Sequence, residues 1–433
     1  MKLSHASHLK GEITIPGDKS ISHRSIMFGS IAEGTTEISG FLKSADCIST
    51  MNAFRAMGIN IEEDKENGII LVHGKGLHGL NAPEAVIDCG NSGTTTRILS
   101  GILAGQDFEA TLTGDSSIQK RPMKRVIDPL TKMGADISSI NGNGCAPLKI
   151  RPSKLHGETI KTPIASAQVK SAILLAGLYA GSATKVIEPS LSRNHTELML
   201  SAFGAEIKSG TFENPTAEII PGKNLYGQKI KVPGDISSAA YFIGAGLITP
   251  GSEILVKNVG INPTRDGLIR VFKAMNADLT LIDEREEGGE KTADILVRSS
   301  SLKACEIGGS LIPTLIDEIP LIAVAATQAE GTTVIKDAAE LKVKESNRID
   351  LTVNNLKAMG ADIEATDDGM IIRGKTSLHH ARIETARDHR IAMSFAIASL
   401  INEDVQQTDI SDAGCVGISY PEFFKELDSL KNR

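Results

Sequence analysis

Internal repetition constrains this chain more than any other feature. A helix end followed by a turn and a strand recurs as AMGINI (56–61), KMGADI (132–137), AFGAEI (202–207), AMNADL (274–279) and AMGADI (358–363). The turn residues Gly58, Gly134, Gly204, Asn276 and Gly360 tolerate the left-handed backbone that closes a helix, so each predicts a C-terminal cap. A second phrase, an apolar helix rich in small residues running into a turn and a strand, appears six times. Its copies are SIMFGSIAEGTTEIS, TRILSGILAGQDFEATL, SAILLAGLYAGSATKVI, SAAYFIGAGLITPGSEILV, PLIAVAATQAEGTTVIK and RIAMSFAIASLINEDVQQTDI. Five turn at Gly34, Gly105, Gly181, Gly251 and Gly331, and the sixth at Glu403–Asp404. Each unit, about 72 residues long, reads as helix, strand, helix, strand with short extra strands, and is too long for a stacked solenoid repeat.

Two domains of three units each are therefore expected. The helices of the second phrase are apolar nearly all round, as helices buried beneath a layer of sheet and outer helix must be. The sixth unit ends early, at FFKELDSLKNR, and the opening strand HLKGEITIPG is expected to supply a strand it lacks. Residues 20–232 are expected to form one domain and residues 1–19 with 233–433 the other, with a hinge near 16–20 and 232–236.

Composition removes several function classes. Lys and Arg number 46 against 53 Asp and Glu, a net charge of −7, so the chain lacks the basic surplus of a general nucleic-acid binder. Only 11 Phe and 4 Tyr, with no Trp, are available for stacking on bases. The five cysteines (Cys47, Cys89, Cys145, Cys305, Cys415) are scattered and form no C-x-x-C pair, which predicts reduced and mostly buried thiols rather than a disulfide frame or zinc site. The strongest apolar run, Ala172–Gly181, is far short of a membrane span. MKLSHASHLKGEITIPG has no apolar export core, so a cytoplasmic location is expected.

The polar motifs coincide with the starts of the buried helices. They are Gly17-Asp18-Lys19-Ser20 with Arg24, Gly90-Asn91-Ser92-Gly93-Thr94 with Arg97, Ser166-Ala167-Gln168 with Lys170, Gly234-Asp235-Ile236-Ser237-Ser238, Asp317-Glu318, and Arg387-Asp388-His389-Arg390. Ser, Asn, Asp and Gly there are ordinary N-caps, and Asp317 alone reads as one. The cations are not explained this way. Lys and Arg oppose the roughly +0.5 charge of a helix N-terminus unless an anion joins them. Lys19, Arg24 and Arg390 therefore point to anion binding, and such ends facing one cleft would hold a doubly anionic ligand despite the net negative charge. The run Gln119-Lys120-Arg121-Pro122-Met123-Lys124-Arg125 reads equally as a solvated surface block. Lys344 and Arg348 are expected on one helical face at i, i+4. Glu345 between them is either a first-turn acid or a proton donor held near a reacting centre. His23 and His389 read as structural hydrogen-bonding groups as readily as bases. His379-His380 has no third ligand at metal spacing.

The ordered set Gly17-Asp18-Lys19-Ser20, Gly90-Asn91-Ser92-Gly93-Thr94, Lys120-Arg121-Pro122, Ser166-Ala167-Gln168, Lys344-Glu345-x-x-Arg348 and Asp388-His389-Arg390 resembles the 5-enolpyruvylshikimate-3-phosphate synthases along nearly the whole chain. The resemblance implies an α/β fold, a two-domain inverted α/β barrel of six βαβαββ repeats, three per domain, that closes on substrate. It implies transfer of the enolpyruvyl group of phosphoenolpyruvate to the 5-hydroxyl of shikimate 3-phosphate with release of phosphate. Carried over residue by residue, Lys19, Ser20, Arg24, Ser166, Ala167, Gln168, Arg193, Asp317 and Lys344 would hold shikimate 3-phosphate. Lys19, Gly93, Arg121, Gln168, Arg348 and Arg390 would hold phosphoenolpyruvate. Asp317 would take the hydroxyl proton, Glu345 would protonate the methylene carbon, and Lys19 would complete the catalytic set. No metal and no organic cofactor are implied. The partners would be the two small-molecule substrates alone, with no nucleic acid and no membrane, and the chain is expected to be a monomer.

Some positions depart from the pattern of the family. Ala167 stands where many members have a second serine, and Gly414–Pro421 has no lysine where many place one, for which Arg193 is expected to compensate. Ser-Ala-Gln-x-Lys (166–170), Arg193-x-His195-x-Glu197 and Asn262-x-Thr264-Arg265 resemble the bacterial second class, some members of which tolerate the inhibitor glyphosate. Gly93 is expected to leave open space beside the phosphoenolpyruvate site, so tolerance would be partial at most. Two alternatives stand beside this reading. One is a UDP-N-acetylglucosamine enolpyruvyl transferase, which the cysteine-free loop Asp115–Arg121 disfavours. The other is a non-catalytic anion-binding module, disfavoured by two carboxylates among the cations, since like charges weaken anion binding.

Overall fold

Each of the six small-residue phrases forms a helix whose interior is buried. They run Lys19–Ile31, Gly93–Leu103, Ala167–Gly177, Ile236–Ile248, Ile319–Ala326 and His389–Ala398. Every residue of Ile236–Ile248 and of Ile319–Ala326 is buried, as all-round apolar sequences require. Small residues let these helices approach closely. A Cβ added at Gly101 would lie 2.1 Å from the carbonyl oxygen of Ala172 on the neighbouring helix. The computed structural model describes residues 1–287, 289–404 and 406–431. Val405 of the sixth turn phrase and Asn432 and Arg433 of the closing phrase lie outside the described residues.

The chain divides into two units. One, here the terminal unit, comprises Met1–Pro16, Pro233–Glu286 and Lys291–Arg433, and the other, the inserted unit, comprises Gly17–Val232 with Glu287–Glu290. Each has its own apolar core.

The inserted unit carries three four-stranded sheets with one plan. In each, a short strand pairs in parallel with the strand that follows an interior helix, and two antiparallel strands complete the sheet. Thus Ile87–Asp88 pairs with Ala110–Thr113, and Thr159–Lys161 with Thr184–Ile187. For Glu33–Ser39 the short partner is Lys229–Lys231, from the far end of the unit. The terminal unit repeats the plan twice, with Lys10–Thr14 beside Glu253–Gly260 and Glu306–Ile307 beside Gly331–Ile335. Its third sheet has three strands, ordered Lys2–Leu3, Thr408–Ile410 and Arg382–Ile383.

This corrects one expectation. HLKGEITIPG does not complete the sixth unit, because its strand Lys10–Thr14 takes the parallel edge position of the fourth sheet, a place every other unit also fills. The sixth sheet is instead completed by Lys2–Leu3, antiparallel to Thr408–Ile410.

The cap residues of the first phrase behave as their chemistry requires. Gly58, Gly134, Gly204, Asn276 and Gly360 have φ of +83°, +95°, +101°, +64° and +92°. In the second phrase Gly34, Gly251 and Gly331 share that conformation, whereas Gly105 and Gly181 do not. Gly105 answers to packing instead, since a Cβ there would meet the Tyr179 ring at 2.1 Å.

Candidate functional site

In the inserted unit, three interior helices begin at the motif residues. Asp18 caps the first, its carboxylate accepting from the Ile21 amide at 2.8 Å. Ser92 caps the second, accepting from the Thr95 amide at 3.0 Å, and Ser166 occupies the cap position of the third without a side-chain cap bond. A polar chain joins the first two starts. His23 Nδ1 meets Thr50 Oγ1 at 2.7 Å, Thr50 meets Thr95 Oγ1 at 2.7 Å, and Thr95 Oγ1 donates to Ser92 Oγ at 2.7 Å. Burial, then Lys19 and Arg24, hold the His23 imidazole well below the usual histidine range, so it stays neutral and structural.

The cations here are held by partners the motifs did not reveal. Lys19, at the first helical position, forms an ion pair with Asp46. Arg121 is buried and donates to Asn91 Oδ1 at 2.8 Å and Ser117 Oγ at 3.3 Å, while Lys120 and Lys124 of the same run are exposed. The run is thus a surface block interrupted by one inward-turned guanidinium. Arg97 donates to Gln168 Oε1 at 2.7 Å, and Gln168 Nε2 donates to Thr94 Oγ1 at 3.0 Å, tying the second helix start to the third. Arg24 is buried and donates to Thr196 Oγ1 at 2.7 Å, Ser171 Oγ at 2.7 Å and the Ser20 carbonyl at 3.0 Å. Burial lowers its guanidinium to about 10, against the opposing pull of Glu197 and Asp18.

The space beside Gly93 is not open. A Cβ there would lie 2.8 Å from Arg97 Nη1 and 3.2 Å from Arg121 Nη1. A methyl group would press on two guanidinium ends rather than fill a void.

In the terminal unit the motif cations converge on carboxylates. Arg348 opens the helix Arg348–Ala358, capped by Asn347, and its side chain is 1% exposed. It contacts Asp317 Oδ1 at 3.2 Å through Nη1, Glu345 Oε2 at 2.5 Å through Nη2, and Asp388 Oδ2 at 2.8 Å through Nε. Burial opposes this charge, but Asp388, Glu345 and Asp317 outweigh it and raise the guanidinium above its ordinary value. Lys344 Nζ lies 3.8 Å and Arg390 Nη2 3.6 Å from Asp317, so three cations surround one carboxylate. Burial lowers the Lys344 ammonium, Asp317 resists that, and Arg348 adds to the fall. A further polar chain runs from Arg265 Nη2 to Ser237 Oγ at 2.7 Å, on to Glu318, and from there to Arg390 Nη1 at 4.0 Å.

Two local expectations are corrected. Lys344 and Arg348 do not share a helical face, since the chain is irregular between the 3-10 turn Ala339–Val343 and Arg348. They meet through Asp317 instead. Nor is Asp317 a cap: Glu318 holds that position, and Asp317 spends its oxygens on cations. His389 is buried at the first position of its helix, and Asp388 caps that helix through the Arg390 amide at 2.9 Å. Ser166, Ala167, Ser20 and Arg193 are half-buried at or beside the starts of their helices. Arg193 belongs to the inserted unit and the lysine-free segment Gly414–Pro421 to the terminal unit. All five cysteines are free thiols, but only Cys47 and Cys89 are buried. Among the described residues no group of three or more His, Cys, Asp or Glu is placed to hold a metal ion, and no helix is long and apolar enough to cross a membrane.

Interior helix starts that gather cations and carboxylates, on sheets repeated three times per unit, belong to a fold shared with enolpyruvyl transferases. NikO of Streptomyces tendae, an enolpyruvyl transferase, matches that fold with a TM-score of 0.78 at 16% identity, over 99% of this chain and 96% of its own. A family model for EPSP synthase (3-phosphoshikimate 1-carboxyvinyltransferase) matches residues 3–427, and the chain belongs to that family. The 3-phosphoshikimate 1-carboxyvinyltransferase of Bacillus velezensis is 52% identical over 434 residues, covering 100% of both chains. That of Thermoanaerobacter sp. strain X514 is 57% identical over 423 residues, covering 98% of each. The EPSP synthase structure from Acinetobacter baumannii superposes with a TM-score of 0.88 at 46% identity, over 99% of this chain and 97% of its own.

Proposed function

We propose that this chain transfers the enolpyruvyl group of phosphoenolpyruvate to the 5-hydroxyl of shikimate 3-phosphate, releasing phosphate, in aromatic amino acid biosynthesis. The observation that carries the catalytic assignment is Asp317 amid Arg348, Lys344 and Arg390, with Glu345 on the same Arg348 guanidinium. Two phosphorylated anions entering such a set compete with the resident carboxylates for the cations, Arg forks taking bidentate contacts and Lys point contacts. Asp317, released to a hydroxyl, accepts its proton. Glu345 delivers a proton to the methylene carbon of phosphoenolpyruvate, so oxygen attacks the adjacent carbon and a tetrahedral adduct forms. In the elimination Glu345 takes a methyl proton back while the carbon–oxygen bond to phosphate breaks, and Asp317 passes the hydroxyl's proton to the departing phosphate, so the double bond is restored with Glu345 protonated and Asp317 ionised as at the start.

In this reading Lys19, Ser20, Arg24, Ser166, Ala167, Gln168, Arg193, Asp317 and Lys344 serve shikimate 3-phosphate. Lys19, Gly93, Arg121, Gln168, Arg348 and Arg390 serve phosphoenolpyruvate. Arg24 also anchors Ser171 and Thr196, with which, and with the Ser20 carbonyl, it makes three hydrogen bonds. The chain works as a cytoplasmic monomer without metal or organic cofactor, with its hinge near residues 16–20 and 232–236. The test is release of inorganic phosphate from phosphoenolpyruvate. Release with shikimate 3-phosphate and none with UDP-N-acetylglucosamine is expected. The reverse pattern would support the sugar-nucleotide reading, and release with neither acceptor would leave only anion binding.

A further inference from the structure

We propose that Lys170 and Glu188 are positioning residues for shikimate 3-phosphate: a buried ion cluster that holds the Ser166–Gln168 helix start and the Ser192–Asn194 loop in register. The proposal rests on the reading above, in which Ser166, Gln168 and Arg193 touch that substrate.

Lys170, Glu188 and Glu197 have side chains 1% exposed. Lys170 Nζ forms ion pairs with Glu188 Oε2 at 3.1 Å and Glu197 Oε1 at 2.8 Å and donates a hydrogen bond to the Ser192 carbonyl at 3.2 Å. Glu188 divides its two oxygens between two segments of chain. Oε1 accepts from the Ser166 amide at 3.1 Å, whereas Oε2 accepts from the Ser192 amide at 3.3 Å and Ser192 Oγ at 2.9 Å. Ser166 itself has no side-chain cap bond, so Glu188 is what fixes this helix start. Glu197 also acts on Arg24, whose guanidinium is anchored on Thr196 and Ser171. One cluster therefore sets the strand end at Ile187, two helix starts and the loop carrying Arg193.

Burying three charges is costly, and packed apolar residues fill such a place at equal or better stability. What apolar residues cannot supply is an acceptor on each of two arms. Only a carboxylate does that, since a glutamine would turn an NH2 toward one of the two amide donors. Burial opposes the Lys170 charge, but Glu197 and Glu188 outweigh it and keep the ammonium protonated.

The double variant Lys170→Met/Glu188→Gln tests this. It removes one charge of each sign and leaves Glu197 facing Arg24, so the interior stays balanced. By titration calorimetry without phosphoenolpyruvate, the dissociation constant for shikimate 3-phosphate is expected to rise about tenfold or more, the scale of a lost outer support. The kcat at saturation and the KM for phosphoenolpyruvate should stay within about threefold, with a cooperative thermal melt retained. An unchanged constant in a cooperatively melting variant overturns the proposal, as does equal loss of affinity for both substrates. If the double variant fails to fold, the same criteria apply to Glu188→Gln. Arg193→Ala and Gln168→Ala separate the two levels. If they too leave binding unchanged, the substrate assignment fails and takes the proposal with it. If they weaken binding and the double variant does not, only the positioning role falls.

Discussion

A methyl group at position 93 cannot be added without displacing a guanidinium, because Arg97 and Arg121 already crowd that side of the helix start. Gly93→Ala is therefore predicted to raise the KM for phosphoenolpyruvate a few-fold and the inhibition constant of glyphosate by more, about tenfold. An unchanged inhibition constant in steady-state assays would contradict this. Asp388 makes a second prediction. It is fully buried, and burial raises its carboxyl, yet Arg348 outweighs that and the ordinary value is lowered overall. A group whose folded value is depressed stabilises the native state above its unfolded value near 3.8 and loses that contribution as pH falls through the folded one. Asp388→Asn should thus cost about 3–5 kcal/mol at pH 7, the usual effect of breaking a buried pair, and progressively less below about pH 4. Urea unfolding across that range measures it, and a cost that grows on acidification would contradict the assignment. At this scale the sequence made the cations legible, because Lys and Arg at helix starts oppose the dipole. Their partners were not legible. Asp46 reads as a first-turn acid of its own helix, and Asp388 meets Arg348 across 40 positions.

At the scale of elements, the repeated phrases carried most of the information because caps and small-residue packing are local properties. The five left-handed cap positions could be read directly from Gly and Asn. Gly101 adds a test of helix packing. Gly101→Ala sets a methyl against the Ala172 backbone, which cannot yield as a side-chain tip can. It is predicted to cost about 1–3 kcal/mol. In a unit of this size that lowers the melting temperature by about 2–10 °C, readable by calorimetry. A melt unchanged within 1 °C or so would mean the two helices are not held at that approach. Where an element was misread, the cause was non-local. Lys344 and Arg348 have helical spacing, but the helix begins only at Arg348, and Asp317 rather than a helix face brings them together.

For the whole molecule, periodicity fixed the number of units and their grouping, but not which strand closes which sheet. The edge places are exchanged along the chain: Lys10–Thr14 precedes the inserted unit yet pairs with Glu253–Gly260, and Lys229–Lys231 precedes the second crossing yet pairs with Glu33–Ser39. Strand registers of that kind depend on pairing over more than a hundred residues, which no local pattern reports. In the proposed reaction the carboxylates resident among the phosphate-seeking cations perform the proton transfers, and everything else rests on that. Its most direct test is Glu345→Ala, assayed for phosphate release and, separately, for shikimate 3-phosphate binding. A kcat lower by roughly 10²–10⁴ is expected, with the dissociation constant within about threefold of the parent. A kcat near that of the parent protein would contradict it.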